Sequence, residues 1–286
     1  MKFVMIPTVD FFGTRITRLI LGDNPFNGHS YIPEIHDGEE MMDYYTADNC
    51  IRALFEAEES GINAYMALAD PFILRVIRQY RKEGGKMKIL FQTYPAIELE
   101  TNLWMMEKCE PIAIYHQGGT ADYMYEMGDI DGLSKRIKLI KNTGLPTGLG
   151  THVPEIVLQA EEENWGVDFY MTSLYNARKT QRGQQSGFIT GKPKHLVFYP
   201  EDRFLMFDVI KKVNKPCIAF KIFAGGQVFY NKPEEEIPAI VEGVFRETFE
   251  NIKPNDLVCI GVFQKYKNQI KENTDIVKSI FKSGKG

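Results

Sequence analysis

The chain lacks most features that would tie it to a membrane, a polyanion or a bound metal. No apolar run approaches the roughly 18 residues of a membrane span. The opening Met1-Lys2-Phe3-Val4-Met5-Ile6-Pro7 is too briefly apolar for a signal peptide. A formal charge of −4 gives no general attraction to nucleic acid or to anionic lipid. Cysteine is scarce. Cys50, Cys109, Cys217 and Cys259 are far apart and without close metal-ligand spacing, so they read as free core thiols in a cytoplasmic protein. There is no His-x-His, no His-Glu-x-x-His, no internal repeat and no linker-like break in composition.

What is present is a repeated event. Leu19-Ile20-Leu21 is a short apolar run, the pattern of a strand buried on both faces. It breaks at Gly22 into turn chemistry, Asp23-Asn24-Pro25 and Asn27-Gly28, followed by His29. Similar runs follow at Ile62–Met66, Ile89–Phe91, Pro111–Tyr115, Pro146–Gly150, Val167–Met171, Cys217–Phe220 and Val258–Val262. Helical spacing separates them, clearest in Ile73-Val76-Ile77-Tyr80, in Leu133-Ile137-Ile140 and in Ile237-Val241-Val244. Asp48 is placed to cap the first helix, and Asn24 to Tyr45 reads as a long loop. Eight strands alternating with eight helices predict a (β/α)8 TIM barrel, one domain over residues 1–286. An N-terminal β-hairpin fills 1–17, and a long loop after the sixth strand runs from 174 to 199. An open doubly wound sheet is the competing architecture.

In a barrel the active site lies at the C-terminal strand ends. Asp23, His116, His152 and Lys221 sit at such ends and are the candidate catalytic residues. His116 directly follows a strand and suits a general acid, or it is a hydrogen-bonded strand-end histidine. His152 is either a site residue or a cap for the helix entered at Pro154. Lys221 could bind an anion, form a Schiff base, or be merely solvated. Arg178, Lys179, Arg182, Lys192, Lys194 and His195 make the long loop either an anion-binding lid or a solvated charge run. The pairs Gly118-Gly119 and Gly225-Gly226 permit close backbone approach to a ligand, or are simply turns.

Several segments, in order, resemble the aldo-keto reductase superfamily. Ile16-Thr17-Arg18-Leu19-Ile20-Leu21-Gly22 is similar to its entry into the first strand, and Glu58-Glu59-Ser60-Gly61-Ile62-Asn63 to its entry into the second. Ala113-Ile114-Tyr115-His116 is similar to the strand ending in the family's catalytic His. Phe220-Lys221-Ile222-Phe223-Ala224-Gly225-Gly226 and Gly261 through Asn273 are similar to the cofactor segments. The resemblance implies NAD(P) held by Thr151, Phe220, Gly225, Gly226, Gln269 and Asn273. It breaks at the catalytic tetrad. The family's Asp falls on Met66, its Tyr on Pro71 and its Lys on Thr93 or Tyr94, so only His116 matches.

Three functions follow. The first is an oxidoreductase on a small polar or anionic substrate, with His116 as the acid and Asp23, His152 and Lys221 completing the site. The second is an isomerase, lyase or hydrolase that is metal-assisted through Asp23, His29, His116 and His152, or uses Lys221 as a covalent amine. The third is a catalytically silent ligand-binding barrel. The expected partner in each is a small molecule, with neither nucleic acid nor membrane.

Overall fold

Eight short strands, too apolar for an exposed sheet, bury both faces by closing on themselves. They are β3 (Leu19–Gly22), β4 (Ala64–Leu68), β5 (Lys88–Gln92), β6 (Ala113–His116), β7 (Thr147–Thr151), β8 (Phe169–Ser173), β9 (Cys217–Phe220) and β10 (Leu257–Ile260). All neighbours pair in parallel, and β10 pairs with β3 to close the barrel. The computed structural model describes residues 5–32, 35–176 and 198–284. Closure excludes the open sheet and agrees with the expected (β/α)8 barrel.

The hairpin precedes the barrel as β1 (Thr8–Phe11) and β2 (Thr14–Thr17), paired antiparallel. Phe12 and Gly13 turn it with φ of +52° and +82°. Val9, Phe11 and Ile16 join the lumen residues Ile20, Phe169 and Ile218 in one cluster and plug the N-terminal end. The Phe11 and Phe169 rings meet edge-on at 5.2 Å.

Period two then sorts each strand into two cores. On β6, Ala113 and Tyr115 face the lumen, whereas Ile114 packs under the helices. β7 turns Gly148 and Gly150 inward because nothing larger fits. A Cβ on Gly148 would lie 2.4 Å from the Phe169 ring and 2.6 Å from Tyr115 Cβ.

The helices run close to expectation, with informative differences. The first long helix is Ala47–Glu59, and Thr46 caps it through the Asn49 N–H at 3.3 Å; Asp48 instead lies in its first turn. The expected loop from Asn24 contains a 3-10 turn, Asn24–Asn27, and a helix, Gly38–Tyr44. A further helix, Gly118–Glu126, follows β6 directly, and Gln117 Oε1 caps it through the Thr120 N–H at 2.6 Å. The basic residues expected to form a lid, Arg178 to His195, lie outside the described residues. All four cysteines are buried and free. No described helix is long and apolar enough to cross a membrane.

Candidate functional site

Three elements converge at the C-terminal face. β7 ends at Thr151, and His152 follows it. β9 ends at Phe220, and Lys221 follows it. The helix Gly118–Glu126 carries Asp122 on its buried face. His152 Nδ1 lies 2.7 Å from Asp122 Oδ2, and His152 Nε2 lies 2.9 Å from Lys221 Nζ. Asp122 also accepts from Thr151 Oγ1 at 2.6 Å and from the His152 backbone N–H at 3.2 Å. A carboxylate only accepts, so Nδ1 carries the imidazole hydrogen and Nε2 accepts from the Lys221 amine. The line runs from a fully buried carboxylate, through an imidazole 13% exposed, to an amine at the mouth.

Lys221 is held in place by its backbone and by aromatic rings. Its φ of +56° is unusual for a side-chain-bearing residue and costs of the order of 1 kcal/mol. Its carbonyl accepts from the Ala224 N–H at 2.7 Å. The ammonium lies 4.6 Å from the Phe220 ring centroid and 4.9 Å from that of Tyr31. Tyr31 belongs to the β3–helix connection and is fixed there. Its hydroxyl accepts from Asn24 Nδ2 at 3.3 Å, and its carbonyl from Gln227 Nε2 at 3.2 Å.

Beyond β10, the strand next to β9, Asp23 follows β3 and is 1% exposed. Its Oδ2 accepts from the Leu68 N–H at 2.5 Å and from Asn27 Nδ2 at 3.3 Å. Burial, with the negative charge of Asp70 adding to it, pushes the Asp23 carboxyl up to about 7. Asp70 caps the helix Pro71–Lys82 through Oδ1, which accepts from Phe72 and Ile73. Burial raises its pKa as well. His29 is exposed at the lip yet crowded from below; desolvation first, then the Lys221 charge, lower its pKa, while Asp70 acts against them. His29 thus feels the charges of both Lys221 and Asp70.

The other expected residues are placed differently. His116 is the last residue of β6 and continues the outward parity of Ile114. Its Nε2 accepts from Arg136 Nε at 2.9 Å, on the helix Ile130–Lys141, and the ring is fully buried. Burial first, then the Arg136 charge, push its pKa down to about 3, so it stays neutral. The fold does not bring His116 together with His152 and Lys221. Thr151 also faces outward, its hydroxyl spent on Asp122. The lumen beneath the mouth is occupied by Tyr115, whose hydroxyl donates to Gln92 Oε1 at 2.5 Å.

The residues expected to hold NAD(P) are engaged by the chain itself. Gly225 and Gly226 have φ of +61° and +102°. A Cβ on Gly225 would lie 2.5 Å from Tyr31, and one on Gly226 2.9 Å from Ile32. The close approach these glycines allow is therefore to the chain's own loop. Phe220 faces Lys221 and His152, with the imidazole 5.5 Å away and edge-on. Gln269 Oε1 accepts from the Phe263 N–H at 2.9 Å, and Asn273 is buried in the last helix. Of the nearby cations, Lys265 pairs with Glu40 and Lys267 with Glu272. Among the described residues, no three His, Cys, Asp or Glu side chains gather closely enough to hold a metal ion; Asp23, His29, His116 and His152 are not brought together as ligands.

Sequence reasoning missed Asp122, Asp70 and Tyr31. Asp70 had a readable signal, an acid just before the proline that opens a helix. Asp122 had a weaker one, an acid beside Ala121 on a face that is otherwise buried.

No protein-family profile matches the chain, and no curated protein is similar to it in sequence. Solved structures are similar in fold. The aldo-keto reductase AKR11C1 from Bacillus halodurans, in its holo form, superposes with a TM-score of 0.58 at 10% identity, covering 96% of this chain and 91% of that one. A dihydropteroate synthase from Xanthomonas albilineans, in complex with indole-2-carboxylic acid and 6-chloroguanine, gives 0.51 at 11% identity, covering 99% and 98%. An aldo-keto reductase from Brucella melitensis gives 0.52 at 12% identity, covering 95% and 93%. Reductases and a synthase fit nearly alike, so what this chain shares with them is the (β/α)8 barrel.

Proposed function

We propose that this protein is an imine-forming enzyme, a lyase or isomerase, that uses the Lys221 amine on the carbonyl group of a small polar substrate. One observation carries the reading: the unbroken line Asp122–His152–Lys221, with contacts of 2.7 and 2.9 Å. This is the logic of a nucleophile, a base and an orienting carboxylate, with an amine as the nucleophile.

The ammonium first gives a proton to His152 Nε2, and Asp122 steadies the imidazolium. The freed Nζ attacks the carbonyl carbon, the N–C bond forms and the C=O electron pair moves to oxygen. Nζ loses a proton and the oxygen gains one, giving a neutral carbinolamine. A second proton on that hydroxyl lets water leave, and an iminium remains on Lys221. The iminium draws electrons from an adjacent C–H or C–C bond, and that bond breaks. Tyr31 and Phe220 wall the amine and favour a small substrate.

Borohydride trapping tests the reading. The protein is incubated with pyruvate, glyoxylate, dihydroxyacetone or glyceraldehyde, reduced, digested and mapped by mass spectrometry. A reduced adduct at Lys221 that is absent from Lys221→Met supports it. The same adducts spread over surface lysines in both proteins would contradict it.

A further inference from the structure

The uppermost layer of the barrel lumen holds two side chains, and they face each other. Strand register brings Gly22, Gln92, Gly150 and Phe220 to one level, each at a lumen position in the last two residues of its strand. Side chains from below take the space of the two glycines. A Cβ on Gly22 would lie 2.9 Å from Cys259 Sγ, and one on Gly150 3.0 Å from the Tyr115 ring. That leaves Gln92 on β5 and Phe220 on β9, strands that lie four apart in either direction round the closed barrel and so oppose each other. Both are half-buried, whereas Tyr115 and Cys259 beneath them are buried. An eight-stranded barrel is narrow enough for opposed side chains to grip one small ligand. Lys221 Nζ stands 4.6 Å from the Phe220 ring, so the amine belongs to the Phe220 side of this gap.

The Gln92 amide is fixed from one side only. Tyr115 donates its hydroxyl hydrogen to Oε1 at 2.5 Å; Met66 Sδ, at 3.0 Å, is the weaker acceptor and does not divert it. The amide therefore cannot flip without losing this bond. Among the described residues no hydrogen bond uses Nε2, and it is not sealed from solvent as the Tyr65 hydroxyl is. The result is an oriented, unspent and neutral donor at the floor of the mouth.

We infer that Gln92 selects the substrate: Nε2 donates to a hydroxyl oxygen while Lys221 takes the carbonyl carbon, so the substrate is a hydroxyaldehyde or hydroxyketone. Gln92 touches substrate, and Tyr115 is the positioning residue behind it. The assignment rests on reading Lys221 as the reacting amine. The oxygen bound is not the carbonyl oxygen, which leaves as water when the imine forms. Nor does a carboxylate fit. Taken from water it needs a cation or several donors, and this layer offers one neutral amide. A hydroxyl oxygen is satisfied by that one donor. An analogue without the hydroxyl leaves the amide unpaired, which is how such a site rejects it.

The test is borohydride trapping at Lys221 in the wild type and in Gln92→Leu. The probes are glyceraldehyde, propionaldehyde, which lacks both hydroxyls, and glyoxylate. Comparing each probe with itself in the two proteins removes differences in carbonyl reactivity. Gln92→Leu should cut trapping of glyceraldehyde by about tenfold or more and leave the other two within about twofold. Equal effects on all three, no effect on any, or a loss confined to glyoxylate overturns the assignment. Tyr115→Phe keeps the amide but frees it to turn, so it decides the matter if Gln92→Leu does not fold. Glyceraldehyde alone should fall, by about threefold, and a uniform fall or no change overturns the assignment. In Lys221→Met, where no imine forms at the site, glyceraldehyde should still shift the Gln92 side-chain amide resonances in nitrogen-edited NMR, and propionaldehyde should not. Absence of any Lys221 adduct in the wild type overturns the proposed function. Those resonances then judge Gln92: unmoved by glyceraldehyde, they overturn its role as well.

Discussion

His116 and His152 stand at the ends of adjacent strands, and the fold uses them in opposite ways. β6 runs through His116, whose outward parity buries the ring beside Arg136. β7 stops at Thr151, so His152 is one step beyond an outward residue and turns to the mouth. One ring is neutral in a packed layer; the other joins a buried carboxylate to an amine. A histidine at a strand end is therefore not a site residue by type. Strand parity and the helix behind it decide, and here Arg136 stands behind one ring and Asp122 behind the other.

The contrast breaks most severely at Lys221. Lys221→Met should abolish imine trapping while the thermal transition stays close to wild type, measured by mass spectrometry and calorimetry. His152→Gln should follow, slowing trapping by roughly 100-fold or more, as expected for loss of a positioned base. Asp122→Asn should give a similar fall. His116→Ala should leave trapping within about twofold, yet cost roughly 1–3 kcal/mol in denaturant unfolding, because Arg136 loses its buried acceptor.

The same pair of histidines sharpens in acid. His116 is lowered from 6.5 to about 3, so the unfolded chain binds the extra proton between those values. Stability is full above about 6.5 and is lost as pH falls towards 3. Asp23 has the opposite sign. Its carboxyl is raised from 3.8 to about 7, so the proton favours the folded state in acid and the contribution fades as pH rises through that window. The stability difference between wild type and His116→Gln, followed from pH 7 to pH 4, isolates the first effect: the variant should lack that acid slope. The smallest expected effect concerns Tyr31. Tyr31→Ala should uncover Lys221 and speed trapping a few-fold, and NADPH should show no saturable binding to the wild type by fluorescence.

Much of the barrel was legible because apolar runs and helical spacing carry it. The residues of Ile130–Lys141 and Cys217–Phe220 fall where their spacing puts them. Gly38–Tyr44 and Gly118–Glu126 were hidden, since both are short and open on glycine, which reads as a turn. That second helix is the one carrying Asp122, so the centre of the site was hidden with it. Lys221 was legible because β9 ends just before it. His116 was misleading because a strand drawn to Tyr115 leaves it free to turn, whereas the pairing of His116 with Leu149 holds it in the sheet. Tyr31 depends on its contacts with Lys221 and Gln227, which no local pattern contains.

The central claim is that His152, backed by Asp122, is the base for the Lys221 amine. It can be measured without a substrate by competitive labelling of every lysine with an isotope-coded amine reagent, in the wild type and in His152→Gln. The account predicts that Lys221 is among the fastest-reacting lysines in the wild type. It also predicts that His152→Gln slows that lysine alone by about tenfold or more. Equal reactivity of Lys221 in the presence and absence of the His152 imidazole would contradict it.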